Sequence, residues 1–210
     1  LQHITHTQEF MKMDFWVNEN VLIPRPDTEI LVEEVIEIAK KMDKPKILDL
    51  CTGSGAIAIS IAKNVPSAEV SAIDISEKAL EVARKNAQNL HAKVKFKQSN
   101  LFNNVSKIKF DIIVSNPPYI KKEDIKLLSS EVRKEPEIAL DGGYDGLDFY
   151  RKIANQAIEY LKFGSYLCFE IGYDQKEDVT EIIKDAKHYS DTYCKKDLFG
   201  NDRIIITKVN

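Results

Sequence analysis

Apolar residues keep two different rhythms along this chain, and the change from one to the other outlines its elements. The opening FWVNENVLI (15–23) reads as extended chain up to Pro24, with a hairpin expected to turn at Asn18–Asn20. From Thr28 the period lengthens. Ile30, Leu31, Val35, Ile38, Ala39 and Met42 recur at helical spacing, behind Asp27 or Thr28 as the cap. After Pro45, short β-branched runs alternate with helical ones: KILDL, AEVSAIDIS, KVKFKQ and FDIIVS read as strands. Helices are expected over AIAISIAKNV and behind the cap Ser76, where Ala79, Leu80, Ala83, Ala87 and Leu90 share a face. The lysines of KVKFKQ alternate outward and mark a solvated face.

Residues 117–144 carry no clear long element, and so long a loop in a compact domain is usually functional or disordered. GLDFYRKIANQAIEYL then reads as helix, SYLCFEIG as a fifth strand and 174–187 as a helix. Two last strands, near 188–194 and 202–208, are joined only by KKDLFGND, which suits a hairpin and makes one strand antiparallel. The whole predicts an α/β fold with a seven-stranded, mostly parallel sheet covered by helices on both faces.

Bulk properties narrow the class. A chain of 210 residues suits one domain, and 43% hydrophobic with 30% charged residues is ordinary for a globular protein. A net charge of −3 gives no sign of a broad nucleic-acid surface, and no apolar run approaches bilayer length. Cys51, Cys168 and Cys194 are far apart, without a CxxC pair or a histidine cluster, so disulfides and structural zinc are not expected and a reducing cytoplasm is. Cys168 and Cys194 read as strand packing. A chain that opens on Leu1 is expected to be part of a longer one.

Candidate chemistry gathers where ligands bind such sheets, beyond the carboxyl ends of the strands. Asp49 precedes CTGSG, whose Gly53 and Gly55 let a ligand approach the backbone and a helix N-terminus. Asp74 ends the second strand, where a carboxylate accepts both hydroxyls of a ribose. Asn100 ends the third as an acceptor for an adenine amino group. The fourth ends in VSNPPYI, a stiff corner rich in carbonyls and poor in N–H groups, suited to a ligand that donates from an NH2 group. Each signal has a plainer reading: GSGAIA equally cradles a dinucleotide pyrophosphate, Asp74 caps the next helix, and Asn100 and the prolines make turns. Together they describe a nucleoside site beside an amine-accepting corner. An NAD-dependent oxidoreductase or a nucleotide-binding module explains the glycines and Asp74 but leaves the corner without a purpose.

In VLIPRPDTEILVE, LDLCTGSGAIAISIA, SNPPYI, EPEIALDGGYDGLDFYR, EIG and FGNDR the chain resembles the HemK-type release-factor glutamine N5-methyltransferases, over essentially all of residues 1–210. The resemblance implies a Rossmann-like class I methyltransferase domain over 25–210. It further implies that residues 1–24 are an extended β-hairpin segment at the end of a linker from a helical N-terminal domain. It implies S-adenosylmethionine as donor, S-adenosylhomocysteine as product and the glutamine of a release factor's GGQ loop as acceptor. No metal, membrane or direct nucleic-acid partner is expected, and the enzyme is expected to be a monomer. Asp49, Cys51, Thr52, Gly53, Ser54, Gly55, Asp74, Asn100, Leu101 and Asn116 would contact the cofactor. Asn116, Pro117, Pro118, Tyr119 and Arg25 would contact the substrate, with Asn116, Pro117 and Tyr119 as the catalytic set. Two related activities remain as alternatives: glutamine methylation of a ribosomal protein, and adenine-N6 methylation of DNA, which uses the same corner.

Two positions depart from the family pattern. Cys51 stands where glycine is usual and is expected to keep the turn with a negative φ. Asn100 stands where aspartate is usual, keeping a carbonyl acceptor without the charge. Two roles stay open for each of two further residues. Arg25 either forms a structural ion pair or contacts the protein substrate. Glu170 either supports the site as an acceptor or pairs with Arg203.

Overall fold

The computed structural model describes residues 5–210, so the first four residues of the expected 1–24 segment lie outside the described residues. A two-stranded hairpin comes first: β1 (Thr7–Phe10) and β2 (Met13–Trp16) pair antiparallel, with Phe10 opposite Met13. The chain therefore reverses at Met11–Lys12 and not at Asn18–Asn20. Both turn residues hold positive φ, 50° and 59°, the conformation two-residue hairpins need and glycine or asparagine usually supplies. Met-Lys does not advertise it. Asn18–Asn20 instead closes a separate turn, in which Asn20 N donates to the Asn18 side chain.

The main sheet contains β3 (Lys46–Leu50), β4 (Glu69–Asp74), β5 (Val94–Gln98), β6 (Phe110–Ser115), β7 (Leu161–Glu170), β8 (Tyr189–Lys196) and β9 (Asp202–Val209). Its order is β5-β4-β3-β6-β7-β9-β8, and β9 alone runs against its neighbours, as the terminal hairpin required. Alternation along the strands sends Ile47, Ile112, Val114, Ile204 and Ile206 to one face. There they pack under α1 (Thr28–Ala39) and α2 (Ala56–Asn64). Leu48, Ile113, Leu167 and Ile205 point the other way, against α4 (Asp148–Ala157) and α5 (Lys176–Asp185). Between the strand pairs, α3 (Glu77–Asn89) starts at Ser76, whose Oγ accepts from Ala79 N as expected. The helix expected to run to Leu161 stops at Ala157, because Leu161 already pairs with Phe110 and opens β7. Among the described residues no helix is long and apolar enough to cross a membrane.

The strand order reverses between β3 and β6: β4 and β5 build outward from β3, and the chain then returns to lay β6 on its other side. A crevice opens at that point, beyond the carboxyl ends. Ser115 Oγ donates to Leu50 O across it, tying the two strand ends together.

One buried side chain attaches the N-terminal hairpin to this frame. Asn86 on α3, 1% exposed, accepts from Trp16 N and donates to both Trp16 O and Ser54 O. Asn86→Ala is expected to lower stability by about 2–3 kcal/mol, since it strands a donor and two acceptors in the interior. Trp16 is the chain's one tryptophan, so urea unfolding followed by its fluorescence reads both stability and hairpin release. A loss under about 0.5 kcal/mol would show that Asn86 does not hold the hairpin.

Candidate functional site

At the crevice lies a cavity of about 250 Å³. The ends of four strands form one side of it, through Cys51, Gly53, Asp74, Asn100, Leu101 and Asn116. The other side comes from Asn20–Leu22 behind the hairpin, from Pro136, Ile138 and Ala139 of the long loop, and from Phe149 and Lys152 on α4. A cleft of about 50 Å³ shares Cys51, Gly53 and Asn116 and adds Arg25, Thr28, Thr52 and Ser54. Among the expected site residues, Asp49, Gly55, Pro117 and Tyr119 line neither space.

Asp49 lies beneath the turn, fully buried. Its Oδ2 accepts from Thr52 Oγ1 at 2.6 Å, and Oδ1 has no partner among the described residues. Burial pushes this carboxyl up to about 7, against the Thr52 hydroxyl and the Ala58 N–H, which favour the charged form. The chain then leaves β3 through Cys51 at φ +60°, which overturns the expected negative value. From this left-handed step Thr52 N donates to Ile73 O across the sheet, at 3.0 Å. Holding a side chain in that region costs about 1–2 kcal/mol, which is the physical reason glycine suits the position. Gly55 is needed for room: an added Cβ would stand 2.9 Å from Ile59 and 3.1 Å from Ala83 of the neighbouring helix.

Asp74 bridges the glycine turn and the next loop. Its two oxygens accept from Gly53 N and Ser76 N, both at 2.9 Å. Burial raises its pKa, while these N–H groups work to keep it ionised. The cap of α3 is Ser76, so Asp74 is free of that duty. On the next strand Ser99 folds the loop by donating to Leu101 O and accepting from Asn104 N. Asn100 is left exposed on the cavity wall, and Leu101 is buried with φ +46°.

The proline corner is clamped from outside. Gly142 N donates to Ile120 O at 2.8 Å, and Gln175 Nε2 donates to Tyr119 O at 3.0 Å. Contact is so close that a Cβ on Gly142 would lie 2.8 Å from Tyr119 Cα and 2.9 Å from Pro118 O. Tyr119 donates its hydroxyl to Glu170 Oε1, and Asn116 Nδ2 donates to Thr28 Oγ1, both at 3.4 Å. Glu170 is thus an acceptor under the corner. The alternative pairing with Arg203 is not formed: Arg203 meets Asp197 at 3.0 Å and Asp27 at 3.6 Å. Burial raises the Glu170 carboxyl to about 7, opposed by the Thr28 hydroxyl and the Arg203 charge. Arg25 forms an ion pair with buried Glu135 at 2.5 Å, and the other oxygen of Glu135 accepts from Ile23 N. This pair ties IPRP to the long loop.

Sequence reasoning passed over Glu135, Gln175 and Asn86, and weighed Thr28 only as a cap. Glu135 lies inside the quoted EPEIALDGG run, which is the one signal pointing to it; Gln175 and Asn86 sit in unremarkable helical surroundings.

Comparison with known proteins places this geometry. The family model described as methyltransferase small domain matches residues 26–141. A release factor glutamine methyltransferase of Fusobacterium nucleatum is 47% identical over 211 residues, covering 99% of this chain and 59% of that protein. One from Clostridium acetobutylicum is 44% identical, covering 98% and 74%. The chain therefore spans little more than half of the first relative and about three quarters of the second. The solved structure of a release-factor-specific protein-(glutamine-N5) methyltransferase from Alicyclobacillus acidocaldarius has a TM-score of 0.57 at 30% identity, over 93% of this chain and 99% of that one.

The two raised carboxyls predict how stability follows pH. A carboxyl whose pKa rises on folding takes up a proton with the fold, so its stabilisation is complete below the ordinary carboxylate range and is lost as pH rises through about 7. The ligand-free protein is expected to melt at a higher temperature near pH 5.5 than near pH 8, and Asn at position 49 (Asp49→Asn) should flatten that slope. Calorimetry at both pH values checks it; an unchanged slope in the variant would remove Asp49 from the account.

Proposed function

The chain belongs to the family of release factor glutamine methyltransferases, and we propose that it methylates the side-chain nitrogen of a glutamine in a peptide chain release factor, using S-adenosylmethionine. One observation carries the reading: an asparagine-proline corner, held rigid at the switch point, stands beside a cavity that Asp74 borders.

The cavity's chemistry fits the cofactor. Asp74, half-buried and held by two N–H groups that favour its charged form, would accept the ribose hydroxyls. Ile75 and Leu101 offer apolar surface for an adenine, with Asn100 as acceptor for its amino group. When bound, S-adenosylmethionine supplies a methyl group on a cationic sulfur. The protein's part is to present the nucleophile. A carboxamide nitrogen is weakly nucleophilic because its lone pair is delocalised into the carbonyl. Two acceptors, Asn116 Oδ1 and the Pro117 carbonyl, would take its two N–H bonds, orient the lone pair and stabilise the positive character that grows on nitrogen. Tyr119, anchored on Glu170, would pack on the planar amide. Such positioning supplies roughly 7–11 kcal/mol in ideal intramolecular cases, and fixed acceptors add to it where charge develops.

Asp74→Ala is expected to weaken S-adenosylmethionine binding by about 2–3 kcal/mol, read by calorimetry, because two hydroxyls lose a charged partner. An unchanged dissociation constant in a folded variant would sink the ribose assignment.

The acceptor corner is tested by turnover. Asn116→Ala should lower kcat by roughly 10²–10³-fold with little change in cofactor affinity, and Asn116→Asp, which still accepts, should retain more activity. Radiolabelled methyl transfer to release factor, ribosomal protein and DNA, run side by side, reads both turnover and acceptor class. Label on ribosomal protein or DNA alone would overturn the release-factor assignment.

A further inference from the structure

Three turns meet around the proline corner at the carboxyl ends of the strands, each fastened at its base while its tip stands in solvent. In the turn at 142–146, Gly146 lies so near the corner that a Cβ there would stand 2.5 Å from Tyr119 O. Its tip is Tyr144, 89% exposed. In the turn at 172–175, Gln175 Oε1 accepts from Gly172 N, and Nε2 donates to both Tyr119 O and Gly146 O. One side chain thus ties this turn to the corner and to the first turn. Its tip is Tyr173, 68% exposed. The third turn, 197–201, joins β8 to β9. Buried Asp197 accepts from Phe199 N and Asn201 N, both at 2.9 Å, and from Arg203 Nη2 at 3.0 Å. The same guanidinium donates through Nη1 to Ile171 O, beside the second turn, at 3.3 Å. Leu198 and Phe199 form this tip, 96% and 86% exposed.

A single apolar side chain on a surface needs no explanation, but four large ones on turns bonded to one another do. The N-terminal hairpin leaves them uncovered, because it docks on α3, which links β4 to β5 over the other half of the sheet. Nearby charges pair among themselves: Arg151 with Asp145, Lys176 and Lys196 with Asp202, Arg203 with Asp197. That neutral setting favours an apolar partner over a highly charged one. From β6 to β8 the surface spans three strand spacings, about 14 Å. We propose that Tyr144, Tyr173, Leu198 and Phe199 form a rigid apolar rim on which the release-factor domain carrying the acceptor glutamine docks. A glutamine seated at the corner does not reach the far turn, whereas the folded domain behind it does. Aromatic anchors held in place by hydrogen bonds bind with little ordering cost. The inference rests on the proposed function and names the surface that would select a folded acceptor.

Leu198→Ser combined with Phe199→Ser tests the far turn, where neither side chain is buried in the fold. Calorimetric titration of release factor into the chain should show a dissociation constant weakened about 10-fold or more, with S-adenosylmethionine affinity and melting temperature unchanged. In methyl transfer, KM for release factor should rise by a similar factor while kcat stays within about twofold. A five-residue peptide with a central glutamine should be methylated equally by both proteins, since its ends reach only about 7 Å from the corner. Where that peptide is too short to be methylated, the titration decides. An unchanged dissociation constant for release factor, or an equal loss on the peptide, overturns the rim, and methylation of release factor by the parent then still upholds the functional reading. If the parent transfers no methyl group to release factor, that reading falls and the rim falls with it. A parent that sediments as a dimer, dispersed by the double variant, would assign the tips to a second copy of this chain and also overturn the proposal.

Discussion

Two consecutive prolines remove two backbone donors from the corner that follows β6, and the surrounding structure answers that deficit. A segment rich in carbonyls and poor in N–H groups cannot fix itself in a sheet ladder, so donors that belong to other elements help to impose its position. Gln175 and Gly142 provide them, and Gly142 approaches so closely that no side chain fits between. The long loop around residues 120–147 is thereby part of the frame. Its Glu135 reaches back to Arg25 and Ile23, so the segment that opens α1 and the segment that follows β6 are braced against each other.

The sheet order gives the corner its electrical setting. Strand β6 lies between β3 and β7, and each neighbour ends in a fully buried carboxyl, Asp49 and Glu170. Each has one oxygen engaged by a hydroxyl and one without a partner among the described residues. Hydrogen bonds hold these acids in place while burial resists their ionisation. The result is a strand end flanked on both sides by buried acids whose oxygens are fixed acceptors, a setting that suits the proposed reaction, in which positive character appears.

The succession of strands and helices, the antiparallel terminal strand and the Ser76 cap were legible because periodicity and capping are local properties. The hairpin turn was not, because Met11 and Lys12 adopt a glycine-like conformation that only the pairing of Phe10 with Met13 explains. The same kind of error gave Cys51 a negative φ: its left-handed step goes with a bond from Thr52 N to Ile73 O, distant in sequence. At the site, residues that announce themselves by type at strand ends could be named from the sequence, and the structure brings most of them to one crevice, whereas those that brace them could not be named. Asn86, within α3, makes three long-range hydrogen bonds and Gln175, just ahead of α5, makes two through its Nε2, and helical patterning carries no trace of such contacts.

The left-handed turn at Cys51 has a chemical side. Its thiol lines a space that, on the proposed reading, receives an alkylating agent, and a thiolate there would itself be a competing acceptor of the methyl group. Burial, with the charges of Asp74 and Asp49 close by, pushes the thiol's pKa far above its usual range. The sulfur is therefore kept protonated and inert first by burial, with the carboxylates that border the cavity and support its floor adding to it. Self-alkylation is thus suppressed by the cost of a buried charge rather than by distance, and a cysteine is tolerated within the pocket for as long as its sulfur stays shielded from water.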